Sequence, residues 1–367
     1  MAKDILPLRR IDHIRFFVGN ARQSAYFYRN AFGFDVVAYA GLETRMKEAG
    51  YVLRQGNITF VLASPLSPEH PDSQRLVQHG DGVQDIAIEV DDVQAAFDAV
   101  VSRGAQAVKA PTLLDDEFGV YEYATIRVYG DTTHSFVNRD RYRGIFAPGY
   151  LALAPERYGP QTSKPGGLVA VDHIVANVEE GKMNEWVRFY EHVMGFNQLV
   201  SFDDKDISTD YTALMSKVMQ NGTGRIKFPI NEPAKGKRKS QIDEYLEFYH
   251  GPGVQHIALA TGNITETVRN LRANDVSFLR VPQSYYEMLP SRVGHINEDM
   301  RELAELGILV DRDDEGYLLQ IFTKPVEDRP TLFFEVIERH GSRSFGKGNF
   351  RALFEAIERE QELRGTL

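Results

Sequence analysis

An internal repeat constrains the fold of this chain more than any other feature of its sequence. The segment Ile11-Asp-His-Ile-Arg-Phe-Phe-Val18 returns as Val171-Asp-His-Ile-Val-Ala-Asn-Val178. Each copy precedes a helical pattern that ends in Phe-Tyr and then Gly-Phe, with Gly33 and Gly195 at the position where a left-handed residue ends a helix. The repeat predicts that the two halves of the chain share one fold.

A second repeat lies inside each half. Gly80-Asp-Gly-Val-Gln-Asp-Ile86 returns as Gly251-Pro-Gly-Val-Gln-His-Ile257. The chain therefore holds four strand–helix–strands modules, which predicts an α+β fold. We expect helices and strands over the following residues: helices 93–103 and 264–273, and strands 51–63, 121–128, 225–228, 318–323 and 332–338.

The same pattern predicts two domains and a closing helix. The length of 367 residues suits two hydrophobic cores. Residues 150–167 are rich in Pro and Gly and form the expected linker, so we place the domains at residues 1–150 and 151–367. Residues 350–363 have charges on one face and apolar side chains on the other, which predicts an amphipathic C-terminal helix.

Composition excludes several classes of function. The formal net charge of −10 argues against nucleic acid or an anionic membrane as the main partner. The sequence has no cysteine, which excludes disulfides, thiolate metal sites and cysteine nucleophiles and fits a reducing compartment. Neither a signal-peptide core nor an apolar run of about 20 residues is present. We therefore expect a cytoplasmic protein.

The apolar segment of residues 331–338 predicts a buried strand with a carboxylate in its middle. Alternation puts Phe333 and Glu335 on one face and Phe334 and Val336 on the other, so neither face leads obviously to water. Burying a carboxylate costs several kcal/mol unless a cation or strong donors meet it. The strand alone leaves two interpretations open, a metal ligand and an ordinary buried ion pair.

Comparing the two halves favours a metal. The first-module histidine occurs in both, as His13 and His173, whereas His256 stands where the N-terminal half has Asp85. A lone histidine on an apolar strand is more often a hydrogen-bonded core residue, and we expect this of His13.

The carboxylate also belongs to the C-terminal half alone. Matching Thr133 to Thr331 places Val137 opposite Glu335. The C-terminal half thus gathers two histidines and a glutamate on equivalent modules, and the N-terminal half is expected to act as a scaffold.

Two imidazoles and a carboxylate on one face of a metal form the arrangement of non-haem Fe(II) oxygenases. Zinc takes the same ligands, so the residue types leave the choice of metal open. A divalent ion would neutralise Glu335 and leave a single net positive charge, which suits an anionic substrate.

Several motifs together resemble the 4-hydroxyphenylpyruvate dioxygenase family, within the vicinal oxygen chelate superfamily, over nearly the whole chain. They are Val171-Asp-His173, Pro229-Ile-Asn-Glu-Pro233, Lys237-Arg-Lys-Ser-Gln241, Gly253-Val-Gln-His256, Gly316-Tyr-Leu-Leu-Gln-Ile-Phe322, Thr331-Leu-Phe-Phe-Glu335 and Phe345-Gly-Lys-Gly-Asn-Phe350. The resemblance implies four βαβββ-type modules paired into two open-barrel domains, an N-terminal scaffold and a C-terminal catalytic domain closed by a gating helix.

The resemblance also implies a reaction and its site. One Fe(II) per chain would be held by His173, His256 and Glu335. 4-Hydroxyphenylpyruvate and O2 would give homogentisate and CO2 through oxidative decarboxylation, ring hydroxylation and side-chain migration, in tyrosine and phenylalanine catabolism. The implied substrate pocket is Ser216, Pro229, Asn231, Gln241, Gln255, Gln320, Phe322, Phe333, Phe345 and Phe350, with catalytic roles for Asn231, Gln241 and Gln320. A homo-oligomer, dimer or tetramer, is implied through the N-terminal domain.

The residue types agree with that chemistry. An aromatic ring favours flat apolar walls, and its phenol favours a few amide or hydroxyl partners. Alternation puts Gln320 and Phe322 on one face of their strand, which offers both kinds of contact. Strict alternation would instead point Gln255 away from the side that His256 faces.

Three other functions remain open at the level of sequence. A hydroxymandelate synthase shares the metal and the substrate but oxidises the benzylic carbon, and product analysis separates it. An extradiol dioxygenase would consume catechols and leave 2-oxo acids untouched. A non-catalytic binding module of the same fold would hold no metal and take up no oxygen, although the His-His-Glu set argues against it.

Overall fold

The computed structural model describes residues 6–44, 46–153, 163–203, 208–209 and 211–367. The N-terminal elements are β1 (Leu8–Phe17), α1 (Ala21–Phe32), β2 (Asp35–Ala40), β3 (Glu48–Gln55), β4 (Ile58–Pro65), α2 (Ser73–His79), β5 (Gly82–Val90), α3 (Val93–Ser102), β6 (Ala107–Asp116), β7 (Gly119–Arg127) and β8 (Thr133–Asn138).

The remaining elements, after a short strand that pairs with β2, repeat this order with additions. They are β9 (Leu151–Ala152), β10 (Leu168–Asn177), α4 (Met183–His192), β11 (Asn197–Phe202), β12 (Ala213–Gln220), β13 (Lys227–Ala234), α5 (Gln241–Tyr249), β14 (Gly253–Thr261), α6 (Ile264–Ala273), α7 (Gln283–Val293), α8 (Met300–Leu306), β15 (Leu309–Asp313), β16 (Gly316–Phe322), β17 (Phe333–His340) and α9 (Phe350–Arg364). No helix among the described residues is long and apolar enough to cross a bilayer.

Four modules of identical topology build the two sheets, which confirms the predicted fold class. The strand orders are β6-β7-β8-β5-β1-β4-β3-β2-β9 and β11-β12-β13-β10-β14-β17-β16-β15. In every module the first strand pairs in parallel with the last, as β1 does with β4 and β14 with β17. The modules join through antiparallel pairs of first strands, β1 with β5 and β10 with β14.

Local sequence signals explain the boundaries of the elements. The Asn20 side chain accepts a hydrogen bond from the backbone N–H of Gln23 where α1 begins, and Gly33 at φ 79° ends that helix. Gly195 at φ 73° has the same conformation in the second half, as the repeat predicts. The prediction of one strand over residues 51–63 is wrong, because a turn at Gly56 (φ 55°) divides it into β3 and β4.

A continuous apolar core runs through both halves. Phe334 of β17 is fully buried, and its ring lies 5.8, 4.9 and 6.1 Å from the rings of Tyr28, Phe32 and Phe60 in the N-terminal half. Burial of this kind is the main stabilising term of folding. Residues 154–162 of the expected linker lie outside the described residues, and the division into two domains stays a prediction.

The strand registers correct one equivalence between the halves. Asp85 pairs with Thr133 and Ala87 with Ser135, whereas His256 pairs with Phe333 and Ala258 with Glu335. Since Asp85 is the counterpart of His256, Ser135 and not Val137 is the counterpart of Glu335. The alignment of the two threonines was two residues out, and a two-residue shift keeps every side chain on its own face, so the apolar pattern could not reveal it.

Candidate metal centre

Two β-bulges turn consecutive residues toward the interior of the C-terminal sheet. Val175 pairs with His256 while Ala176 pairs with Val254, so Gln255 is an extra residue in β14. The expectation that Gln255 points away from the His256 side is therefore wrong, and both residues line the same cavity. A second bulge, between the pairs of Val171 and His173, leaves Asp172 as the extra residue of β10.

The three predicted metal ligands lie together in the interior. Oε2 of Glu335 is 3.1 Å from Nε2 of His173 and 3.4 Å from Nε2 of His256. The ligand atoms of all three lie within 4.8 Å of one another, and the three residues are buried. Parallel pairing of β14 with β17 and antiparallel pairing of β10 with β14 bring the three strands side by side.

Hydrogen bonds fix which imidazole nitrogens face the centre. Nδ1 of His173 lies 2.8 Å from Oδ1 of Asp172, and Nδ1 of His256 lies 2.9 Å from Oε1 of Gln255. Since each of these oxygens accepts, each Nδ1 carries a proton, and each imidazole in its neutral form then offers its Nε2 lone pair to a metal, as metal-binding histidines require.

Arg339 fixes the position of Asp172 by hydrogen bonding. Its Nε and Nη2 donate to the two carboxylate oxygens of Asp172, both at 2.8 Å. The sequence reasoning missed Asp172 and Arg339 as functional residues. The signal was present in the repeat, because the N-terminal half has an aspartate and an arginine at the equivalent positions, Asp12 and Arg139. These two side chains also form a hydrogen bond, at 2.8 Å.

Electrostatics match this donor set to a divalent cation. Burial alone would raise the pKa of Glu335, but the neighbouring imidazoles of His173 and His256 outweigh burial and hold that pKa at about 2. Burial lowers the pKa of His256, whereas at His173 burial is outweighed by the negative charge of Glu335, which raises the pKa of His173. An ionised carboxylate and imidazoles with free Nε2 lone pairs are the ligands of a divalent metal, so the chain's residues fit the metal that their types predict.

All ten residues predicted for the substrate pocket line one cavity beside the three ligands. This cavity is lined by Ser216, Pro229, Asn231, Gln241, Gln255, Gln320, Phe322, Phe333, Phe345 and Phe350. Sequence reasoning missed further apolar lining residues, which are Val175, Phe202, Leu214, Val218, Leu353 and Phe354. Apolar side chains at strand and helix spacing carry no signal that separates a pocket wall from core.

Aromatic rings surround the candidate ligands. Phe333 stacks on His256 with ring centroids 4.8 Å apart, and Phe322 meets the same imidazole edge-on at 6.0 Å. Phe345 meets His173 edge-on at 5.0 Å. Such walls exclude water and accept a flat ring.

The polar atoms of the cavity are few. Oε1 of Gln320 is buried and has no hydrogen-bond partner among the described residues. Nε2 of Gln255 donates to Oε1 of Gln241 at 3.4 Å, and Nδ2 of Asn231 donates to Oδ1 of Asn177 at 3.4 Å. An unpartnered buried acceptor costs free energy, so Gln320 is suited to receive a donor from a ligand.

Comparisons with known proteins agree with this site. The Glyoxalase/Bleomycin resistance protein/Dioxygenase superfamily matches residues 10–121 and 170–321. The 4-hydroxyphenylpyruvate dioxygenase of Dictyostelium discoideum is 48% identical over 363 residues, covering 97% of this chain and 99% of that protein. The 4-hydroxyphenylpyruvate dioxygenase of Xenopus tropicalis is 46% identical over 362 residues, covering 97% of this chain and 92% of that protein. The chain belongs to the 4-hydroxyphenylpyruvate dioxygenase family.

A solved structure related to this dioxygenase family shares the whole architecture. A mutant of 4-hydroxymandelate synthase from Streptomyces coelicolor matches with a TM-score of 0.86 and 33% identity, covering 97% of this chain and 100% of that one. The named dioxygenases are more similar in sequence, at 48% and 46% identity.

In this member of the 4-hydroxyphenylpyruvate dioxygenase family, helix α9 lines the cavity. Phe350, Leu353 and Phe354 of α9 line it, and the ring of Phe350 packs edge-on against Phe202 at 4.9 Å. At the far end of α9, Nη2 of Arg364 donates to Oε2 of Glu244 at 2.8 Å. The helix therefore forms one wall of the cavity and is anchored to α5.

Proposed function

We propose that this chain binds Fe(II) through His173, His256 and Glu335 and converts 4-hydroxyphenylpyruvate and O2 into homogentisate and CO2. The single observation that carries the proposal is the buried cluster of two imidazoles and one carboxylate opening into an aromatic cavity. The names of the relatives at 48% and 46% identity support the same substrate. Two imidazoles, a carboxylate and open coordination positions favour iron over zinc for an oxygenase.

The chain's own residues orient the substrate. Bound at the three ligands, iron would supply the activation of O2 that drives oxidative decarboxylation of the 2-oxo acid and oxidation of the ring. Phe322, Phe333 and Phe345 offer the ring flat apolar surfaces. The unpartnered Oε1 of Gln320 is suited to accept a hydrogen bond from the phenol O–H.

The remaining amides and the terminal helix complete the proposed site. Gln241 and Asn231 line the cavity with Ser216 and Pro229, and we assign them to positioning the substrate's polar atoms. Gln255 accepts from Nδ1 of His256, so we assign it also to orienting that imidazole. We propose that α9, whose apolar side chains line the cavity, limits the access of water to the reaction.

A hydroxymandelate synthase is the second candidate function. The observation that favours it is the TM-score of 0.86 to a structure of such an enzyme. Lower identity, 33% against 48%, makes it the less supported candidate. The two activities differ in the carbon that is oxidised, so the products distinguish them.

The proposal is tested by Glu335→Ala. Removing the carboxylate takes away one of three ligands, so we expect loss of iron binding and of oxygen uptake in a chain that keeps the native circular dichroism spectrum. Ser135→Ala, at the equivalent N-terminal position, is the matched control and should keep both. Wild-type iron content and turnover in Glu335→Ala would remove Glu335 from the ligand set.

Three further assignments from the sequence remain proposals. We propose domains at residues 1–150 and 151–367, a cytoplasmic location and a homo-oligomer formed through the N-terminal domain. Edge strand β6 supports the last, because Val108, Leu113 and Leu114 there are 46%, 63% and 36% exposed. Sedimentation velocity on the full chain and on Leu113→Lys tests it, and a monomeric wild-type chain would refute it.

A further inference from the structure

The N-terminal sheet has a cavity at the position equivalent to the candidate metal centre. Strand registers place His13, Asp85 and Ser135 where the C-terminal sheet has its three candidate ligands. These residues line a cavity of about 380 Å³, compared with about 70 Å³ for the cavity of the C-terminal half. The half that was expected to be only a scaffold therefore keeps a cavity, lined by charged and polar side chains as well as apolar ones.

A buried carboxylate dominates the N-terminal cavity. Asp85 is 5% exposed, and its Oδ1 accepts hydrogen bonds from the hydroxyls of Thr133 at 2.5 Å and Ser135 at 3.0 Å. No basic side chain among the described residues forms an ion pair with Asp85. Burial raises the pKa of Asp85. A buried carboxylate is costly without a cation, so this group is suited to receive one.

The nearby arginines are already neutralised. Nη2 of Arg15 donates to both carboxylate oxygens of Glu48 at 2.7 Å. Arg139 donates to both carboxylate oxygens of Asp12, at 2.8 Å from Nη2 and 3.0 Å from Nε. Arg15 also attracts Asp85, which lies opposite it on β5, but the cavity lining has this one arginine against three carboxylates, those of Glu48, Asp72 and Asp85. The lining therefore carries an excess of negative charge.

Other lining groups also favour a positively charged donor. Nδ1 of His13 lies 2.6 Å from Oδ1 of Asp12, so Nδ1 carries the proton and Nε2 is an acceptor. Glu48 and Asp72 add two further lining carboxylates. The guanidinium of Arg139 already lies over the rings of Tyr121 and Phe146, at 4.6 and 4.4 Å, which are the kind of aromatic faces that attract cations.

We propose that the N-terminal cavity binds a small organic cation, a primary ammonium group carried on an aromatic or apolar body. The ammonium would donate to the carboxylate of Asp85 and to Nε2 of His13, and the body would pack against Tyr121 and Tyr123. A metal ion fits less well, because neither His13 nor Asp85 belongs to any group of three histidine or carboxylate ligand atoms that lie within 4.8 Å of one another among the described residues.

Calorimetric titration of the full wild-type chain with three probes tests the sign of the ligand's charge. The probes are phenethylammonium, neutral 2-phenylethanol and anionic 3-phenylpropionate, which share one ring and differ in charge. We expect phenethylammonium to bind with a Kd of about 1 mM or tighter, and the other two at least about tenfold more weakly. No saturable binding of the amine, or equal binding of all three, would overturn the proposal.

Matched amide variants test the position of the amine. Asp85→Asn should weaken binding of phenethylammonium at least about tenfold, whereas Glu335→Gln should leave it within about twofold. The opposite result would put the amine in the C-terminal cavity and refute the proposal. Asp85→Asn should keep wild-type oxygen uptake, so this test is independent of the proposed reaction. If Asp85→Asn fails to fold, the three-probe titration and a crystal structure of the wild-type chain with phenethylammonium test the proposal instead. An amine bound outside this cavity would refute it.

Discussion

At the scale of single residues, one arrangement of three side chains occurs in both halves of the chain. Arg339 donates two hydrogen bonds to Asp172, which accepts a hydrogen bond from Nδ1 of His173, and every distance is 2.8 Å. The N-terminal half repeats this among Arg139, Asp12 and His13. Among the described residues, only the oriented histidine of the C-terminal half lies beside two further candidate ligands. The repeat has therefore kept the groups that orient the imidazole and changed the groups around its free nitrogen.

Replacing Asp172 tests the role of this orientation. In Asp172→Asn the side chain loses the charge that stabilises the Nδ1 proton of His173, and we expect the affinity for Fe(II) to fall about 10–100-fold. Anaerobic equilibrium titration with Fe(II) measures the change. The same substitution in the other half, Asp12→Asn, should leave the affinity within about twofold. Equal losses in both variants would indicate a general effect on folding.

At the scale of secondary-structure elements, bulges and glycines position the site. The extra residue of β14 brings Gln255 beside His256, and the extra residue of β10 brings Asp172 beside His173. The segment before α9 turns at Gly346, whose φ is 74°. A Cβ at that position would lie 2.3 Å from Oε1 of Gln320.

A pair of glycine variants isolates that contact. Gly346 and Gly365 flank α9 with the same φ of 74°, but a Cβ at Gly365 would meet nothing within 4 Å. Both alanine variants carry the same backbone strain, of order 1 kcal/mol, whereas only Gly346→Ala displaces Gln320. We expect Gly346→Ala to lower kcat/KM for 4-hydroxyphenylpyruvate at least about tenfold and Gly365→Ala to keep it within about twofold. Equal kinetics would show that the position of Gln320 is unimportant.

The elements also show what the sequence could reveal. The repeat identified His173, His256 and Glu335, because comparing equivalent strands needs only the residue types. Pattern alone could not reveal the bulge at Gln255, since strict alternation is broken by backbone hydrogen bonding that leaves no mark in side-chain polarity. It also missed the turn at Gly56, although the pair Gly56-Asn57 between two apolar segments is itself a sequence signal for a hairpin. The equivalence of Ser135 to Glu335 was missed for a related reason, because the register of these strands is set by their pairing and not by residue identity.

At the scale of the whole molecule, the two halves are joined by apolar packing and by polar contacts. Phe334 packs among N-terminal rings, and Nη1 of Arg329 donates to the carbonyl oxygen of Gln78 at 2.7 Å. Near this contact, burial and then the charges of Asp81 and Asp328 raise the pKa of Glu327 to about 7. An acidic group with a raised pKa opposes folding once it ionises, so this junction is sensitive to pH.

The sign of that effect gives a prediction for stability. The pKa of Glu327 is about 7 in the folded chain against 4.5 for the ordinary group, so between these values the folded state binds more protons and stability falls as pH rises. Glu327→Gln should raise the free energy of unfolding at about pH 8 by up to about 3 kcal/mol, and much less at about pH 5. Urea denaturation at both pH values measures this. Exposed Glu305→Gln is the control, and an equal gain at both pH values would contradict the account.

The most direct test of the central claim is identification of the product made by the iron-loaded chain. The chain is reconstituted with Fe(II) without oxygen, given 4-hydroxyphenylpyruvate and then O2, while an oxygen electrode records uptake and NMR identifies the product. We predict homogentisate and CO2, each formed in proportion to the O2 consumed. Formation of 4-hydroxymandelate, or no oxygen uptake by a chain that has bound iron, would contradict the proposed function.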